Sequence, residues 1–207
     1  MATESIRSFV AIPVPEAAIT YAAMLQQVFR DQGVRGRVVR PEAMHLTVAF
    51  LGDQSESRLQ AYAQFLQQRL QPLPAPVVDC VGPDTFGRPP SVLLVGWSDP
   101  DHRFRTIAEE ARDAAQDAEL GPPAGSGKRK PVPHMTVLRI KDPGSQKRLR
   151  HLQRPASDGP SWKPFLPPIP ASLHGVCLSR VHLMASTLTP DGPIYRRLNE
   201  IPLLAGS

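Results

Sequence analysis

One pattern occurs twice in this chain and dictates local structure both times: His45-Leu46-Thr47-Val48 and His134-Met135-Thr136-Val137. Each heads an apolar run, HLTVAFLG from position 45 and HMTVLRI from position 134, whose residues alternate between polar and apolar as a half-buried β-strand requires. Residues i and i+2 of a strand project to the same side. His45 and Thr47 therefore share one face while Leu46 and Val48 turn to the core, and His134 and Thr136 stand in the same relation to Met135 and Val137. A lone His-x-Thr at a strand start is commonly a solvated or hydrogen-bonded edge residue. Two copies, 89 positions apart and each shortly preceded by proline (Pro41, Pro133), instead predict two imidazoles with hydroxyl neighbours facing one cleft.

The rest of the chain supplies strands and helices around these two runs. Residues 8–12 read as a first strand, followed by an Ala-rich helix over about 16–32 that ends before Gly33. After the first motif strand, Ser55 and Glu56 open a Gln-rich helix that Pro72 stops near 71. Strands follow near 77–81 and 91–97. Asp99 to Asp101 cap a helix through about Leu120, with Ile107, Ala111, Ala114 and Ala118 near one face. A flexible segment, 121–133, leads into the second motif strand. Residues 142–172 are proline-rich and read as a largely irregular excursion, before strands over 176–186 and 194–204 that form a hairpin across Thr189-Pro190-Asp191-Gly192. Each motif strand thus belongs to a half with its own strands and helix, although the halves share no repeat beyond the motif.

With 207 residues and 41% hydrophobic side chains, the chain can bury a real core as one domain of two lobes. A net charge of +5 and a pI near 9.6 favour a polyanionic partner such as nucleic acid. Two basic clusters, Arg35/Arg37/Arg40 and Lys128-Arg129-Lys130, immediately precede the two motifs. A third, Lys147-Arg148 with Arg150, is assigned to the surface. The two cysteines, Cys80 and Cys177, show no paired spacing, so neither a disulfide scaffold nor a zinc site is expected. The N-terminus has no leader pattern and no apolar run reaches membrane-spanning length, so a cytoplasmic protein is expected.

Imidazole titrates near neutrality, so two of them in one cleft suit a reaction in which one proton leaves a nucleophile as another reaches a leaving group. Cleavage of a phosphodiester is such a reaction. One neutral ring would activate water, one imidazolium would protonate the departing ribose oxygen, and the hydroxyls of Thr47 and Thr136 would bond the non-bridging oxygens. Two His with no further ligand at suitable spacing are too few for a metal, and no cofactor is expected. The remaining histidines, His102, His151, His174 and His182, lack the flanking pattern. The stretch from Gly121 to Lys128 superficially suggests a phosphate loop, but Pro122 and Arg129 stand where a Walker loop needs glycine and Ser or Thr.

In these segments the chain resembles the 2H phosphoesterase superfamily, and within it the RNA 2′,3′-cyclic phosphodiesterases also called 2′-5′ RNA ligases. The resemblance covers most of the chain: residues 7–12 for the first strand, 40–52 for the first motif, 133–139 for the second, and 183–195 for the closing strand and turn. It implies an α+β, two-lobed, pseudo-symmetric fold, each lobe a mainly antiparallel sheet with outer helices around a central groove. By similarity, His134 would position or activate water, His45 would protonate the leaving oxygen, Thr47 and Thr136 would hold the phosphate, and Arg139 would add charge stabilisation. Phe9, in the first strand, is a candidate base-stacking platform or a core residue. The aromatic residue often found before the first motif is here Val38 or Val39, and the 142–172 excursion is longer than usual.

The preferred expectation is a metal-independent monomer that opens a terminal 2′,3′-cyclic phosphate of RNA to a 2′-phosphate, with weak reverse 2′-5′ ligation. The alternatives are an RNA-end or cyclic-nucleotide binding module on the same fold, or a phosphodiesterase for small cyclic nucleotides or 2′-5′ linkages.

Overall fold

The structure, a computed structural model, describes residues 5–121, 131–156, 159–190 and 192–205. The basic run Lys128-Arg129-Lys130 and most of the segment leading into the second motif lie outside the described residues. The chain runs β1 (Ser5–Pro13), α1 (Glu16–Asp31), β2 (Arg37–Val38), β3 (His45–Ser55), α2 (Glu56–Leu70), β4 (Val77–Val78), β5 (Cys80–Phe86), β6 (Val92–Trp97) and α3 (Arg103–Asp117). It continues through β7 (His134–Arg139), α4 (Pro143–Leu152), β8 (Pro155–Ala156), β9 (Gly159–Pro160), β10 (Val176–Cys177), β11 (Arg180–Thr189) and β12 (Gly192–Pro202). This is the expected α+β class.

An eight-stranded sheet is ordered β12-β11-β1-β3-β7-β6-β5, with β2 also paired to β7, and its pairings are antiparallel. The two lobes are the two ends of this sheet, one built on β3 and the other on β7. Two helices cross between them, since α1 packs on β7 and α3 on β3, while α2 packs on β3, the strand it follows. Neither lobe closes its core with its own helix alone, and the buried apolar side chains form one continuous cluster. In α1 the buried face is Ala18, Tyr21, Ala22, Leu25 and Phe29, the i, i+3, i+4, i+7 stripe of an amphipathic helix. In α3 it is Phe104, Ile107, Ala108, Ala111 and Ala114. The Asp99 carboxylate caps α3, accepting from the N–H groups of Phe104 and Arg105 at 3.0 Å each.

Residues 142–172 are less irregular than expected. Asp142 accepts a hydrogen bond from the N–H of Ser145 at 2.6 Å and Pro143 takes the first helical position, so α4 begins where proline costs a helix no hydrogen bond. The strand expected near 77–81 divides instead. Its first part, β4, pairs with β10 outside the main sheet, while β5 becomes the edge strand of the main sheet. No helix among the described residues is long and apolar enough to cross a membrane.

Candidate active site

β3 and β7 meet at one register pair, Leu46 opposite Met135, and both side chains are fully buried. Since this pair turns into the core, its sequence neighbours turn the other way: His45 and Thr47 on β3, His134 and Thr136 on β7. The strands are antiparallel, so the order is crossed, His45 toward Thr136 and Thr47 toward His134. An approximate twofold relation about the Leu46–Met135 pair therefore brings both motifs to one face of the sheet, the face away from the helices. All four side chains are half-buried there.

Both imidazoles are anchored in the same way. Nδ1 of His45 lies 2.9 Å from the carbonyl oxygen of Ala43, and Nδ1 of His134 lies 2.8 Å from that of Val132. A carbonyl can only accept, so geometry assigns the hydrogen to Nδ1 in both rings. Nε2 is then the nitrogen of each neutral ring that carries the free lone pair. In His45 it lies 3.1 Å from Oγ1 of Thr47, whose hydroxyl donates to the neutral ring. The carbonyl at 43 is presented by the short helical turn Pro41–Ala43, which explains the proline ahead of the first motif.

Burial pushes the His45 pKa down from 6.5 to about 4, against the raising effect of the Ala43 hydrogen bond, while the charges of His134 and Arg139 lower it further. His45 is thus neutral at pH 7 in the unliganded protein. The same causes place Arg139 and His134 within electrostatic reach of His45.

An aromatic wall backs His45. The rings of Phe9 and Tyr195 lie 4.9 and 5.4 Å from the imidazole between centroids, and 4.9 Å from each other. Phe9 is 4% exposed, so its ring is occupied by these neighbours, whereas Phe50, at 6.5 Å from Phe9, is 63% exposed. On the other lobe Phe86, 42% exposed, meets His134 edge-on at 4.7 Å. Burial raises the Tyr195 pKa, opposed by the charges of Arg139, Arg37 and Arg7. Three arginines therefore lie within electrostatic reach of Tyr195, and among the described residues none of them has a hydrogen-bonded or ion-paired carboxylate. Arg37 stands directly opposite Arg139 in the β2–β7 register.

The fold thus brings together His45, Thr47, His134, Thr136, Arg139 and Phe9. It adds Tyr195, Phe86, Arg37 and Arg7, to which sequence reading assigned no role in the site. Arg37 lay in a noted basic cluster and Tyr195 in the closing segment. Phe86 carried no signal, because it reaches His134 across β6, from a strand with no motif. Among the described residues there is no group of three or more His, Cys, Asp or Glu side chains arranged to hold a metal ion.

The family model of LigT-like phosphoesterases matches residues 12–94, a span that contains the first motif. An RNA 2′,3′-cyclic phosphodiesterase of Thermotoga maritima is 29% identical over 203 residues, 97% of each chain. One from Methanothermobacter thermautotrophicus is 25% identical, covering 92% of this chain and 95% of its own. The crystal structure of Escherichia coli LigT complexed with 3′-AMP superposes with a TM-score of 0.66 at 20% identity, covering 97% of this chain and 99% of that one. The same two-lobed fold is therefore present in both.

Proposed function

We propose that this chain, a LigT-like phosphoesterase of the 2H superfamily by sequence and fold, opens terminal 2′,3′-cyclic phosphates of RNA to 2′-phosphates, without a metal and as a monomer. The observation that carries this reading is the Leu46–Met135 pair, which turns two identically anchored imidazoles and their threonines to one face. The relatives' names supply the substrate class.

In this mechanism Nε2 of His134 takes a proton from water as the water oxygen attacks phosphorus. The P–O3′ bond breaks, and Nε2–H of His45 delivers its proton to O3′, leaving a 2′-phosphate and a 3′-hydroxyl. His45 is neutral before substrate arrives, so it takes up that proton together with the anionic phosphate, whose charge favours imidazolium. Protonation turns Nε2 of His45 from acceptor to donor. The Thr47 hydroxyl is thereby released to donate to a non-bridging oxygen, as Thr136 does, while Arg139 stabilises the charge growing on phosphorus oxygens. With a 5′-hydroxyl in place of water as the nucleophile, the same steps join the 2′,3′-cyclic end weakly in a 2′-5′ linkage: the P–O5′ bond forms, P–O3′ breaks, and O3′ takes the proton.

The test is an RNA oligonucleotide ending in a 2′,3′-cyclic phosphate, incubated in EDTA with wild type, His45→Ala and His134→Ala. Conversion to the 2′-phosphate by wild type and its loss in both variants is the expected result. Tight binding without turnover, undiminished by either change, would instead mark a binding module.

A further inference from the structure

At the edge of the sheet, next in the chain to Phe86, lies a pocket of about 460 Å³ lined by Thr85, Gly87, Arg88, Pro90, Arg150 and Gln153. It sits between the β5–β6 turn and the C-terminal end of α4, so residues more than sixty positions apart build it. Thr85 and Gln153 are joined by a side-chain hydrogen bond that fixes its floor. Arg88 and Arg150 are exposed, and among the described residues neither has a hydrogen-bonding or ion-pairing partner. Asp84, the acidic residue on this strand, is turned to its own chain, accepting from the N–H of Thr85 at 2.7 Å.

The turn that carries Arg88 is built to be stiff. The N–H of Ser91 donates to the carbonyl of Phe86 at 2.8 Å, and Gly87 has φ +99°, where a Cβ would come within 2.6 Å of Ser91 Oγ and 2.8 Å of the Pro89 carbonyl. Arg88 follows Phe86 by two residues, at most about 7.6 Å along the chain. Phe86 itself meets the His134 ring in a T-shaped contact and is still 42% exposed. From the reactive imidazole outward, the sequence of surfaces is a catalytic histidine, an open aromatic ring, and two cations without counter-ions. Single-stranded nucleic acid presents the matching series of phosphate, base and phosphate.

Resting on the phosphodiesterase reading, we propose that this pocket is a subsite for the RNA body: Arg88 and Arg150 neutralise a phosphodiester upstream of the cyclic end, and Phe86 stacks the base between. The substrate chain then leaves the site over β5 rather than across the β11–β12 end. The enzyme on this account distinguishes an oligonucleotide end from a free cyclic mononucleotide by affinity, since a mononucleotide reaches the histidines and not the pocket.

The experiment compares kcat/KM for a short RNA with a 2′,3′-cyclic phosphate end and for a nucleoside 2′,3′-cyclic phosphate, in wild type and in Arg88→Gln/Arg150→Gln. The expected result is a loss of about tenfold on the RNA, mostly in KM, with the mononucleotide unchanged. The salt dependence of log KM for RNA should also flatten by about 0.7 for the one phosphate released. Equal losses on both substrates, or none on either, would overturn the subsite. Wild type that opens neither substrate would overturn the phosphodiesterase reading itself, and the subsite with it. Arg88→Glu/Arg150→Glu, which keeps the pocket polar and reverses its charge, should enlarge the RNA-specific loss.

Discussion

Arg37 lies directly opposite Arg139 where β2 pairs with β7, two like charges facing each other across a two-residue strand. Such a pair opposes its own strand pairing by some tenths of a kcal/mol up to about 1. An anion between or beside the two would remove that penalty. Arg37→Gln should therefore raise the thermal midpoint of the unliganded protein slightly while weakening binding of a 2′-phosphorylated nucleotide. Thermal unfolding with and without that nucleotide measures both. A variant that is less stable and binds equally well would show that Arg37 serves the fold alone.

The depressed pKa of His45 makes stability depend on pH with a defined sign. The folded state binds fewer protons than the unfolded state between about pH 4 and 6.5, so stability is full above 6.5 and falls as pH drops toward 4. The loss attributable to this group is of order 3 kcal/mol. In urea unfolding, His45→Gln should show a shallower decline over that window than wild type. Parallel declines would mean that His45 is not held neutral by the fold.

The rate profile should report the proton uptake. If His45 is the acid, the descending limb of kcat/KM, which reflects the free enzyme, lies at lower pH than that of kcat, which reflects the bound state. The separation arises because the bound phosphate raises the His45 pKa. Coincident limbs would argue that His45 enters the reaction neutral, as the base, with His134 as the acid.

Thr47→Val keeps the shape of the side chain and deletes its hydroxyl. The residue is half-buried on the site face, so the fold should tolerate the change, while kcat should fall by about 10² if that hydroxyl donates to the phosphate in the transition state. A drop confined to KM would assign it to ground-state binding instead.

Much of the fold was legible in the sequence. The helix over 16–32 is observed as Glu16–Asp31 because its apolar stripe and its stop at Gly33 are local signals. The start of the 142–172 stretch was misread because proline density suggested a loop, whereas Asp142-Pro143 is a helix start whose one proline takes the first helical position. The split of the 77–81 strand could not be foreseen, since β4 leaves the main sheet to pair with β10, a strand far along the chain.

The two motifs show where local information ends. Alternation in HLTV and HMTV determined which side chains share a face of each strand, because period two is a property of the backbone alone. It did not determine that the two faces coincide. That was decided by the pairing of Leu46 with Met135, a contact between residues 89 positions apart that forms because burying both against the crossed helices removes apolar surface from water. Other long-range pairings, of β5 with β6 and of β6 and β2 with β7, brought Phe86 to His134 and set Arg37 against Arg139, and burial in the assembled fold lowered the pKa of His45. Each of these depends on burial or on distance between strands, and neither quantity exists until the sheet is assembled.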